Sequence, residues 1–149
     1  MDTAHQASAH PAAHSAGETT GTSERPAQRL AAPVLAFDLL REVAQLHDEA
    51  TWQHGDRNAK TLVKEPAFRL VLIALRAGSR MEEHQAAGRI SIQTLTGRLR
   101  LHAAGTDLEL PAGQLVSLER DLPHSVEALT ESAFLLTIAR QETHATAAE

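Results

Sequence analysis

Two histidines, a glutamate and a threonine are the residues whose types and spacing could do chemistry. His84 and His124 lie in separate short stretches that alternate polar and apolar residues. An imidazole offers a lone pair to a divalent cation, or both a donor and an acceptor to a polar ligand. Glu82 precedes His84 by two residues and shares its face on a regular strand. Two histidines and one carboxylate make an open site of the kind that holds non-haem iron. Thr94 shares a face with Ile90 and Ile92, which turns its hydroxyl toward the same interior. The ligand contacts nominated are therefore His84, His124 and Thr94; if a metal binds, its ligands are Glu82, His84 and His124. The competing reading is structural, with the two rings bonded to each other, to Glu82 or to buried water. Arg69, Arg98, Arg100 and His102 read as a solvated face. No nucleophile elbow, phosphate loop or zinc-protease pattern is present.

The elements that must position these residues are short strands. Arg89 to Leu95 and Arg98 to His102 alternate with period two, and Thr96-Gly97 between them predicts a tight hairpin. Thr106 to Leu110, Gln114 to Leu118 and the run from His124 to Leu129 continue the pattern, separated by Pro111-Ala112-Gly113 and Asp121-Leu122-Pro123. Lys60 to Lys64 reads as a solvated edge strand. Ala67 to Ala77 and Ser132 to Ala139 are apolar on both faces and read as central strands. Upstream, Asp38 is placed to cap a helix with Leu39, Val43, Leu46 and Ala50 on one stripe and Leu40 widening it. Thr51 to Asn58 reads as a loop. An all-β antiparallel barrel or sandwich with one N-terminal helix follows.

On these residues the chain resembles the small single-domain cupins. Their first motif is G-x5-H-x-H-x3-4-E-x6-G; here Gly78, His84 and Gly97 match, while Ala86 and Ile90 replace the second His and the Glu. Their second motif is G-x5-P-x-G-x2-H-x3-N; here Gly113 and His124 match, with Glu119, Asp121 and Ala128 at the Pro, Gly and Asn positions. The resemblance covers about Phe68 to Ala139, roughly half of the chain. It implies a double-stranded β-helix, or jelly roll, with two of four metal-ligand positions kept. A cofactor is therefore not expected, and a divalent metal (iron, manganese, nickel or zinc) is the exception to test. Cupins of this size commonly pair through sheet edges, which implies a homodimer. Val71, Ile73 and Leu75, read as an outer face that a thin barrel would leave wet, point the same way.

Composition removes other classes. Cysteine is absent, which excludes disulfides and thiolate chemistry. A net charge of -5 and an aromatic content of 3% argue against a nucleic-acid surface. No apolar run is long enough to span a bilayer and no secretory signal is legible, so a cytoplasmic protein without membrane contact is expected. Residues 1–30 read as a disordered tail, in which His5, His10 and His14 are solvated. Residues 31–58 read as helix and loop, 59–140 as the cupin barrel, and 141–149 as a frayed end. The function expected is a non-catalytic or sensor-like barrel that binds a small molecule. The alternative is a metal-dependent cupin enzyme of dioxygenase or isomerase type.

Overall fold

The computed structural model describes Arg25 and residues 29–141. The rest of the tail, with its histidines, and the chain after Gln141 lie outside the described residues. Among the described residues nine strands form two antiparallel sheets. The larger sheet contains, in spatial order, β1 (Arg57–Lys64), β2 (Phe68–Leu75), β9 (Ser132–Ala139), β4 (Arg89–Thr96) and β7 (Leu115–Leu118). The smaller contains β3 (Arg80–His84), β8 (His124–Ala128), β5 (Arg98–Ala103) and β6 (Thr106–Pro111). No ladder joins the sheets among the described residues, so the expected barrel is an open two-layer sandwich.

Alternation builds the layer between the sheets. In β5, Leu99 and Leu101 are buried while Arg98, Arg100 and His102 are exposed. Ile73, Leu75, Ile90, Ile92, Leu110, Leu118, Val126 and Phe134 join them in one apolar cluster. Truncating a side chain such as Phe134 inside a layer of this kind costs about 3–5 kcal/mol.

Two sequence expectations change here. Thr96-Gly97 is not a hairpin: β4 and β5 belong to different sheets, and the chain crosses between them at Gly97. Its φ of 78° is left-handed, and a Cβ there would run into the Glu131 carbonyl and the Ser132 hydroxyl. Val71, Ile73 and Leu75 are not an outer face. They point into the core, whereas Leu70, Leu72 and Ala74 face outward beneath the helices. A run apolar on both faces cannot say which face a helix will cover.

The helical cover is α1 (Leu39–Asp48) followed by α2 (Ala50–Gln53), where a loop was expected. Asp38 caps α1 by accepting from the Arg41 N–H at 3.2 Å. Val43 and Leu46 are buried against Leu62, Leu72 and Ala74, but Leu40 is 62% exposed and lies off the stripe. Trp52 is buried, stacked on His47 with ring centroids 4.5 Å apart, and covered by the Arg76 guanidinium.

Polar groups tie this cover to β1. Lys60 is buried instead of lining a solvated edge, with its Nζ 2.6 Å from Glu42 and 3.2 Å from Gln45. Glu49 is buried as well; it accepts two hydrogen bonds of 2.7 Å from Arg25 and one of 2.8 Å from Asn58. Arg25 also donates to the Ala59 carbonyl at 2.8 Å, and the Leu30 carbonyl accepts from Lys64 N–H at 2.8 Å. Arg25 and Leu30, which fall in the stretch read as tail, thus contact the domain.

Burial alone would raise the Glu49 pKa. The hydrogen bonds from Arg25 and Asn58, with the charges of Arg25 and Lys60, outweigh it and hold the carboxyl below its ordinary 4.5. A depressed carboxyl stabilises the fold fully above its unfolded value and loses that contribution as pH falls through the folded value. Glu49→Ala should destabilise the domain by about 3 kcal/mol, because the Asn58 amide and the Arg25 charge lose their partner. Urea melts at neutral pH measure this, and the difference from the parent should shrink below pH 4.5.

Candidate functional site

One end of the sandwich brings the two histidines together. His84 ends β3 and His124 opens β8, and the register pairs them directly across the ladder. Their ring centroids are 4.3 Å apart with planes tilted by 59°. His124 is 2% exposed, while His84 faces solvent. Both rings are held in the same way. Nδ1 of His84 lies 3.0 Å from the Glu82 carbonyl, and Nδ1 of His124 lies 3.0 Å from the Leu122 carbonyl. A carbonyl oxygen only accepts, so each Nδ1 carries the proton and each neutral ring keeps its lone pair on Nε2. Half-buried Met81, Ala86 and Leu122 pack against the core at this end.

Glu82 is not part of this pair. The β3–β8 register runs from Met81 opposite Val126 to His84 opposite His124, three steps on one strand against two on the other. This bulge puts Met81 and His84 on the inner side and sends Glu82 outward. There its carboxylate is 84% exposed and 3.9 Å from Arg80. The sequence reading placed Glu82 beside His84 because it assumed unbroken alternation.

Thr94 is buried, and its hydroxyl donates to the Leu110 carbonyl at 3.0 Å, linking the larger sheet to the smaller. Leu110 pairs with Leu99, whereas His124 pairs with Ala103, four residues further along β5. At about 3.3 Å per residue, Thr94 stands at the opposite end, about 13 Å away. The three nominated ligand contacts are thus one pair and one distant core residue. The loops next to the pair also line a cleft of about 290 Å³, formed by Gly88, Arg89, Glu119, Arg120 and Gln141. Neither histidine lines it. Only folding brings these residues together.

Burial pushes the His124 pKa down; the Leu122 carbonyl opposes this, and charge on His84 adds to it. The fold therefore prefers the neutral ring.

No protein-family model matches the chain, and no curated protein matches it. Solved structures do. A cupin 2 conserved barrel domain protein from Leptotrichia buccalis superposes with a TM-score of 0.56 at 27% identity, over 59% of this chain and 43% of that one. A cupin superfamily protein from Desulfitobacterium hafniense gives 0.56 at 12% identity, over 57% and 78%. A salicylate 1,2-dioxygenase variant from Pseudoaminobacter salicylatoxidans gives 0.54 at 19%, over 68% and 32%. The fold is the all-β cupin fold.

The turns explain why the resemblance reached this fold. Gly78, Gly97 and Gly113 all have positive φ, and Asp121, at the motif's fourth glycine, has φ 60°. The cage positions differ. Ile90 is buried in the apolar cluster and Ala86 packs against it. Among the described residues no three His, Asp or Glu side chains converge. Two imidazoles do not fit a cage that needs four donors, and an open metal centre wants three protein ligands.

A histidine with a depressed pKa stabilises the fold fully above its unfolded value of 6.5 and loses that contribution as pH falls through the folded value. His124→Asn keeps a donor for the Leu122 carbonyl and does not titrate. Its melting temperature should fall less than that of the parent between about pH 7.5 and 5.5, as followed by circular dichroism.

Proposed function

We propose that the protein is a non-catalytic, sensor-like cupin that binds a small molecule at the open end of the sandwich, with His84 and His124 as its polar anchors. The observation that carries this reading is the pair of rings with both Nδ1 atoms tied to backbone carbonyls. Two Nε2 acceptors then stand over an apolar rim, a pattern that suits a small ligand with two hydrogen-bond donors. The layer between the sheets is packed with side chains, so the ligand sits at the mouth and not deep inside.

A second reading, a metal-dependent enzyme of dioxygenase or isomerase type, is favoured by the same two lone pairs and requires a third ligand that Glu82 does not supply from its outward position. A homodimer is also proposed. Its support is the open sheet edges, where Leu115 on β7 and Leu108 on β6 are 57% and 43% exposed, and no longer the face carrying Val71.

Metal content after dialysis of untagged protein separates the two readings. The binding module should retain well under one equivalent, and Glu82→Ala should change nothing. Near-stoichiometric iron, manganese, nickel or zinc that disappears in both His84→Ala and His124→Ala would put the enzyme first. Long-range proton–nitrogen spectra at pH 8 test the anchors themselves. Both rings should appear as the Nδ1–H tautomer, and small diols should move their Nε2 resonances.

A further inference from the structure

The outer face of the smaller sheet carries a second cleft, of about 330 Å³, which neither His84 nor His124 lines. Its walls are Arg80, Arg100, His102, Asp107, Ser125 and Glu127. Strand register assembles it. Glu127 is paired with Arg80 on one side and Arg100 on the other, and His102 is paired with Ser125 on one side and Asp107 on the other.

The contacts within the cleft are unequal. Nearby Arg98 makes a hydrogen bond of 2.8 Å to Glu109. Arg100, by contrast, stands 3.8 Å from both Glu109 and Glu127, and Arg80 stands 3.9 Å from Glu82. These separations are attractive, yet too long for hydrogen bonds. Among the described residues both guanidiniums therefore keep forked donors free for an external carboxylate. His102 gives its Nδ1 proton to Asp107 at 2.6 Å, so in the neutral ring Nε2 is an acceptor. Ser125 is 4% exposed, and its hydroxyl makes no hydrogen bond among the described residues. It is both donor and acceptor in the floor of the cleft.

We infer that this cleft binds a small hydroxylated carboxylic acid, with the carboxylate on Arg80 and Arg100 and the hydroxyls on Ser125, His102 and Glu127. The charges select that class. A bare anion gains from two guanidiniums but faces the Glu127 and Asp107 carboxylates. A neutral polyol leaves the guanidiniums unused. A molecule with one anionic group and adjacent hydroxyls satisfies both halves.

Gluconate, sorbitol and acetate divide the class into the whole and its two halves. Each is titrated into the isotopically labelled full chain and followed by amide shifts. Gluconate should move β5 and β8 amides saturably at millimolar concentrations, while sorbitol and acetate should not saturate. Arg100→Gln should weaken gluconate binding about tenfold and Ser125→Ala by about threefold; His84→Ala should leave it unchanged. Both substituted side chains lie on the outside of the sheet, so the amide spectrum itself reports whether each variant is folded. Absence of saturable shifts, equal binding of acetate, or unchanged affinity in folded Arg100→Gln would each overturn the inference. Loss of the gluconate response in His84→Ala would also overturn it, because the ligand would then belong at the imidazole end.

Discussion

One apolar layer holds the two sheets face to face, and the placement of every polar group follows from it. Phe134, Leu75, Ile92, Leu99 and Leu101 are essentially without solvent exposure and pack as a single cluster. Burying a large aliphatic or aromatic side chain contributes about 1.5–3 kcal/mol. A polar side chain in that layer would need a partner or would cost several times the value of an ordinary hydrogen bond. Thr94 meets the condition through the Leu110 carbonyl. Ile90 stands at a motif position that carries a glutamate in cupins, and it needs no partner. Polar side chains that face this layer's rim or the far side of the smaller sheet therefore gather at one end of the sandwich and on that sheet's outer face.

The same layer needs support from outside. The larger sheet has an apolar second face at Leu72 and Ala74, and α1 and α2 cover it with Val43, Leu46 and Trp52. Short helices are marginal by themselves, so their docking depends on tertiary contacts. Here the apolar contact is reinforced at β1 by the Lys60–Glu42 pair and by the Glu49–Asn58–Arg25 group. One partner in this network comes from well before the helix. The domain is therefore somewhat larger than its strands.

Both ends of the argument about the histidines rest on backbone geometry. The carbonyls of Glu82 and Leu122 each lie two residues before the ring they hold. That local bond sets the tautomer, and the cross-strand register sets the separation of the rings. The smaller sheet's outer face works by register as well: a glutamate between two arginines and a histidine between a serine and an aspartate are cross-strand neighbours that are remote in sequence.

Period-two alternation and turn residues determined a good deal from the chain alone. They place eight of the nine described strands within a few residues and mark Gly97 and Gly113, two of the glycines that adopt left-handed conformations. These are local properties: side-chain period follows from the pleat, and a positive φ follows from the turn. Only the tertiary structure decided what depends on pairing. An inserted residue in β3 reversed the side to which Glu82 points, which no periodic reading can anticipate. The partner of each strand placed β4 and β5 in different sheets despite the short turn between them. Packing of the helices chose which face of β2 is inner. Lys60 became buried because Glu42 and Gln45 lie above it in space, and the cleft around Arg100 exists because the four strands β3, β8, β5 and β6 lie side by side.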